Sequence, residues 1–224
     1  MDGRYNSLDP QKSCRDVFHA HLLANADYDG VDEFPCIHTS KLIPNKMIPF
    51  SEALRTRDYD QWVVFYEHDY KFVRVWNQPR RYLKILQRFR GCISPDFSLY
   101  RRMPLIMQKW STFQGRTLGH WWSENGIEVI PNVRFAGYRT YGFCFDGIEK
   151  NSTVCVGSLG CLKQRRERSL FTEGLAEMVH RLSPRNILVY GAAPDRIFGQ
   201  YRDLGIQIIE YKSQCASYYE QEVL

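Results

Sequence analysis

No run of about 18 consecutive apolar residues occurs in the sequence, the length a helix needs to cross a bilayer, so neither a membrane span nor a membrane partner is expected. The opening stretch, MDGRYNSLDPQKSCRD, holds acidic residues and lacks the apolar centre of a secretory signal, which makes a cytoplasmic location the expectation. There is no Cys-x-x-Cys, and no His or Cys pair has zinc-finger spacing, so a structural zinc site is not expected. The seven cysteines (Cys14, Cys36, Cys92, Cys144, Cys155, Cys161, Cys215) are odd in number, scattered and mostly set among apolar neighbours, as reduced thiols are. Three catalytic signatures are missing as well. No glycine loop ends in the GK[ST] of a nucleotide-binding P-loop, no GxGxxG marks a dinucleotide fold, and no GxSxG offers a hydrolase nucleophile.

What remains is the composition of a folding chain. Of 224 residues, 44% are hydrophobic and 25% charged, enough to bury a sizeable core. The 30 basic and 25 acidic residues leave a net charge of +5, compatible with a polyanionic partner without requiring one. Residues 1–60 show neither helical nor strand periodicity for long, and Pro35, Pro44 and Pro49 punctuate them. They read as an irregular N-terminal extension wrapped on the main domain, with short helices near 15–25 and 49–57. From residue 61 to 224 the chain reads as an α/β domain. Short apolar or β-branched runs at 61–66, 91–94, 126–133, 153–157, 186–190 and 206–211 alternate with helical periods at 79–89, 103–124, 169–182 and 194–204. Strands joined through helices run parallel. The fold class is therefore α/β with a mainly parallel sheet, either an open doubly wound sheet or an incomplete barrel, interrupted by an irregular stretch at 135–150.

In parallel α/β folds ligands meet the carboxyl ends of the strands, and those ends are rich in polar groups here. Asp69 and Asp96, with Asn132 beside them, would suit magnesium or acid–base work, although Asp in such places also caps turns. Arg134 and Arg116 could grip an anion in bidentate fashion or serve as structural partners for those carboxylates. Ser158, in the GSLG turn, and Tyr190, before a second glycine turn, could line a phosphate site, and each turn could equally be only a turn. Lys163, Arg165, Arg166 and Arg168 form the densest basic run, a nucleic-acid-binding candidate whose competing reading is a solvated helix face. Tyr138, near Arg134, Arg139 and Tyr141, could supply a stacking surface for a base. His68 and His120 read as structural histidines, and Cys155, inside an apolar strand, as an inert thiol.

Several segments carry a family resemblance: FYEHDYKFVRVWNQP from Phe65, SPDFSLY from Ser94, Met103-Pro104, GIEVIPNVRF from Gly126, VCVGSLG from Val154 and LSPRNILVYG from Leu182. In order and spacing they resemble the domain of unknown function 4417 family of bacteria, phages and mobile elements, over roughly residues 40–212. The resemblance implies a phage or mobile-element setting and carries over no catalytic residue. Three functions are then open. The first is association with nucleic acid, as binder or nuclease. The second is an enzyme acting on a small phosphorylated or nucleotide-like ligand at the strand ends, and the third a non-catalytic interaction protein or inhibitor.

Overall fold

The structure is a computed structural model that describes residues 16 and 18–213. After a 3-10 turn (Ala20–Leu23), two short strands, β1 (Tyr28–Asp29) and β2 (Phe34–Pro35), pair antiparallel. Seven parallel strands then follow one another: β3 (Met47–Pro49), β4 (Trp62–Val64), β5 (Gly91–Ile93), β6 (Val129–Ile130), β7 (Thr153–Gly157), β8 (Asn186–Tyr190) and β9 (Gln207–Tyr211). They form a four-stranded sheet, β3-β4-β5-β6, and a three-stranded sheet, β7-β8-β9. The two meet at a single parallel bridge, Asn132 to Cys155. Neighbours in space are thus neighbours in sequence throughout.

The helices are α1 (Phe50–Ala53), α2 (Asp69–Phe72), α3 (Arg74–Asn77), α4 (Pro79–Leu86), α5 (Leu105–Glu124), α6 (Arg165–Leu182) and α7 (Asp195–Asp203). Proline opens α4 at a position where its missing N–H costs nothing, and Gly126 and Gly205, both at positive φ, follow the ends of α5 and α7. The α6 helix starts four residues before the apolar period suggests, because Arg165, Arg166, Glu167 and Arg168 make its polar first turn.

Side-chain alternation settles which parallel architecture this is. Val63, Phe65, Cys92 and Val129 pack outward against Phe72, Trp76, Leu86, Leu118 and Trp122 of α2 to α5. Val154, Val156, Ile187 and Val189 pack outward against Phe171, Leu175, Met178, Ile197 and Phe198 of α6 and α7. The opposite face of all seven strands packs only on itself: Met47, Trp62, Val64, Ile93, Ile130, Cys155, Leu188, Tyr190, Ile209 and Tyr211. A doubly wound sheet carries helices on both faces; here one face is lined by helices and the other is rolled inward. The sheet is a curled, unclosed barrel. Large and small residues interlock inside it, since Gly91 lies under the Trp62 ring and Gly157 under the Tyr66 ring, where a methyl group would come within 2.8 Å of ring carbons. The Tyr211 hydroxyl donates to the Pro44 carbonyl at 2.6 Å, tying the last strand to the chain just before the first.

The segment before β3 lies across the helical layer. It crosses α5, whose His120 ring faces the carbonyls of Cys36 and Ala24 at 3.2 Å each, while Ile37 bridges to Ile148 and the Ser40 N–H donates to the Val129 carbonyl. This cover explains why α5 is buried nearly all round in its second half. The one strand of the parallel sheets that the sequence pattern did not reveal is β3, three residues long and closed by Pro49; the short β1–β2 pair was not read either. No helix among the described residues is long and apolar enough to cross a membrane.

Candidate functional site

Parallel pairing brings the ends of β4, β5, β6 and β7 to one rim, and three of the four sequence-selected polar residues meet there. Asp96 is buried just beyond β5; its Oδ1 accepts from Asn132 Nδ2 and its Oδ2 from Arg134 Nη1, both at 2.8 Å. The chain of contacts continues into the barrel. The Tyr66 hydroxyl donates to Asn132 Oδ1 at 2.9 Å and lies 3.0 Å from the Cys155 sulfur, and the Tyr66 ring stacks on Tyr190 with centroids 4.9 Å apart. Burial pushes the Asp96 carboxyl above its usual range, against the pull of Arg134 and of the Asn132 amide. Asp96 in turn strengthens the hold of Arg134 on its proton. Burial also pushes the Cys155 thiol up to about 12 and raises the Tyr66 phenol well above its usual value, so both stay neutral.

Asp69, the fourth, serves a neighbouring loop: its carboxylate accepts from the Ser98 N–H at 3.1 Å and the Ser98 hydroxyl at 2.8 Å. Both carboxylates therefore have both oxygens engaged by protein donors. Among the described residues no group of three His, Cys, Asp or Glu side chains is placed to hold a metal ion. Arg116 lies behind the rim. Buried in α5, it donates from Nε to the Asp146 carbonyl, from Nη1 to that of Asn132 and from Nη2 to that of Cys144, at 2.8, 3.0 and 2.8 Å. Ser158 is buried beside Gly191 with no hydrogen-bond partner for its hydroxyl. Tyr138 stands 81% exposed on the 3-10 turn Tyr138–Thr140, and its ring takes no part in the Asp96 network.

In front of Arg134 lies a cleft of about 390 Å³. Its polar lining is Arg101, Arg102, Arg134 and Glu167; its apolar lining includes Leu99, Phe135, Leu170 and Phe171, with Cys161 beside them. Arg101 and Arg102 belong to the loop between β5 and α5, and Glu167, Leu170 and Phe171 to the first two turns of α6. Beside Glu167 on that first turn, Arg165 and Arg166 are exposed, as is Lys163 just before it, whereas Arg168 is half-buried and donates to the Leu162 carbonyl at 3.3 Å. Arg101, Arg102 and Glu167 are the site residues that sequence reasoning did not select. A signal existed, since the two arginines follow the SPDFSLY strand end directly.

The five described cysteines differ in access, and this gives a first test. Cys92, Cys144 and Cys155 are fully buried, the last two with thiols pushed up to about 12. Cys161 is half-buried at the cleft, and Cys36, within the N-terminal extension, is likewise half-buried. Alkylation of the folded protein at pH 8 should mark Cys161 and leave Cys92, Cys144 and Cys155 unmodified, as read by peptide mass mapping. Equal marking of Cys155 and Cys161 would contradict the burial described.

A family model described as "Domain of unknown function (DUF4417)" matches residues 26–212. The chain is 34% identical over 163 residues to the Gene 1 protein of Mycobacterium phage L5, a match that covers 71% of each chain. It is 39% identical over 127 residues to the Gene 1 protein of Mycobacterium phage D29, covering 57% of this chain and 47% of that protein, so the match spans about half the length of the D29 relative. No solved structure matches the chain.

Proposed function

Starting from a chain that belongs to the DUF4417 family and whose relatives are phage proteins, we propose that it binds a phosphorylated, ring-bearing ligand of the nucleotide class in the cleft at the carboxyl ends of β5, β6 and β7. The observation that carries this is the chemistry of the cleft walls. Three guanidinium groups line the cleft together with aliphatic and aromatic groups, the pairing that a phosphate attached to a flat, weakly polar ring requires. Arg134 is the anchor. One of its nitrogens is fixed by Asp96, its side chain is 37% exposed, and the Asn132–Tyr66 chain behind Asp96 holds the carboxylate still. A guanidinium held in place loses less freedom on gripping an anion than one on a loose stem. Because both oxygens of Asp69 and of Asp96 already accept protein hydrogen bonds, the arrangement favours binding over acid–base chemistry by that pair.

Nucleic acid is the second reading, favoured by Lys163, Arg165 and Arg166, exposed in and just before the helical turn that carries Glu167. A strand whose end enters the cleft would run its backbone along them, and its affinity would fall steeply with salt.

Titration calorimetry with nucleoside mono-, di- and triphosphates and with short oligonucleotides tests the proposal. Binding is expected together with protection of Cys161, but not Cys36, from alkylation. Arg134→Gln should weaken it by tenfold or more, on the order of the 1.4 kcal/mol or above expected for a lost charge-assisted contact. Heat-silent titrations with an unprotected Cys161 would refute the reading.

A further inference from the structure

Glu167 is the one carboxylate among the residues that line the cleft. It reaches from the first turn of α6 toward Arg101, on the loop after β5, so the pair spans the cleft mouth between two separate elements. At 3.5 Å, with both side chains roughly two-fifths exposed, the contact is longer than a charge-assisted hydrogen bond of about 2.7–2.9 Å. Arg102 has no carboxylate partner among the described residues, and Arg134 uses only Nη1 on Asp96. The mouth therefore gathers more cationic donors than its own acid can satisfy.

Building on the binding proposal above, we infer that this mouth is a subsite for a terminal phosphomonoester, and that Glu167 is a resident anion which the phosphate displaces from Arg101. The selectivity follows from charge. A phosphodiester carries one negative charge, as Glu167 does, so exchanging one for the other at Arg101 gains little. A phosphomonoester carries about −1.5 to −2 near pH 7 and presents three terminal oxygens, enough to engage Arg101 and Arg102 together. The site thus distinguishes the end of a nucleotide or strand from its interior. Glu167 competes with the ligand for Arg101 without touching its ring.

The test uses a trinucleotide labelled at its 3′ end, with either a 5′-phosphate or a 5′-hydroxyl, bound to the full chain and to Glu167→Gln. Binding is followed by fluorescence anisotropy at pH 7.5 and pH 5. The wild type should prefer the 5′-phosphate about tenfold at pH 7.5, and less at pH 5, where the phosphate has lost its second charge. Glu167→Gln should bind both forms about fivefold more tightly, the scale of one exposed ion pair, because each then reaches Arg101 without displacing an acid. Binding by Glu167→Gln alone would also support the exchange. If the wild type binds both forms equally and Glu167→Gln does the same, nucleotide binding stands and the subsite is overturned. A loss of affinity in Glu167→Gln overturns it too, because Glu167 would then support the ligand rather than compete with it. If neither protein binds either oligonucleotide, the binding proposal falls and the subsite with it.

Discussion

Replacing Arg116 by methionine should lower the unfolding free energy by about 3–5 kcal/mol, a large share of the 5–15 kcal/mol that holds a typical domain together. The residue is 4% exposed and points three nitrogens at three main-chain carbonyls, of Asn132, Cys144 and Asp146. Methionine matches its length and fills the space, but leaves those oxygens without donors, at about 1–3 kcal/mol for each that stays dry. The gain on the other side is relief from burying a charge. Burial lowers the Arg116 pKa only to about 10, so the group remains cationic at neutral pH and its desolvation is largely met by its contacts. Lysine is expected to recover little, because a single ammonium cannot reach three carbonyls spread over a planar fork. Urea unfolding followed by tryptophan fluorescence reads the effect. An Arg116→Met midpoint close to that of the wild type would mean that water or main-chain movement replaces the lost donors.

Gly147→Val should be destabilising by about 3 kcal/mol or more, through two independent causes. The residue has φ of +74°, a region costly for a β-branched side chain. Its new Cβ would also stand 2.5 Å from the Pro35 carbonyl oxygen and 3.2 Å from Arg116 Cδ, and a main-chain oxygen cannot swing aside as a side chain can. The same crossing carries a hydrogen bond from the Ile37 N–H to the Gly147 carbonyl, so any shift loosens the N-terminal extension. Gly126→Ala is the control, since φ there is +78° with nothing within 4 Å, and about 1 kcal/mol is expected. If Gly147→Ala costs no more than Gly126→Ala in the same urea titration, the close approach to Pro35 has no energetic weight.

Six of the seven parallel strands were legible in the sequence because each holds β-branched or apolar residues bounded by polar or glycine turns. β3 escaped because three residues ending in proline carry no period. Open sheet and rolled sheet could not be separated on the pattern alone. Strands buried on both faces read as continuous apolar runs in either case, and only the partition of Val63 from Trp62, or of Val154 from Cys155, onto different cores tells them apart. For the site, the rim rule placed Asp96, Asn132 and Arg134 together because they end neighbouring strands. It could not foresee that Arg116, one face of a helix away, turns toward main-chain carbonyls, since nothing in a sequence marks a carbonyl as unmet. Arg101 and Glu167 are 66 positions apart, and their meeting depends on where α6 begins, which the polar composition of its first turn conceals.

The joint between β6 and β7 is one bridge wide, while its neighbours within the three-stranded sheet are paired over five residues. The outer cores on the two sides of this joint are distinct clusters, one built around α2 to α5 and the other around α6 and α7, with α5 touching the second through Leu105 and Phe113. The cleft straddles the same line, with Leu99 to Arg102 on one bank and Gly157, Cys161, Leu170 and Phe171 on the other. A molecule held between the banks therefore works as a rivet across this seam, adding to the single rung, the shared lining and the hydrogen bonds that Arg116 and Tyr66 already carry across it.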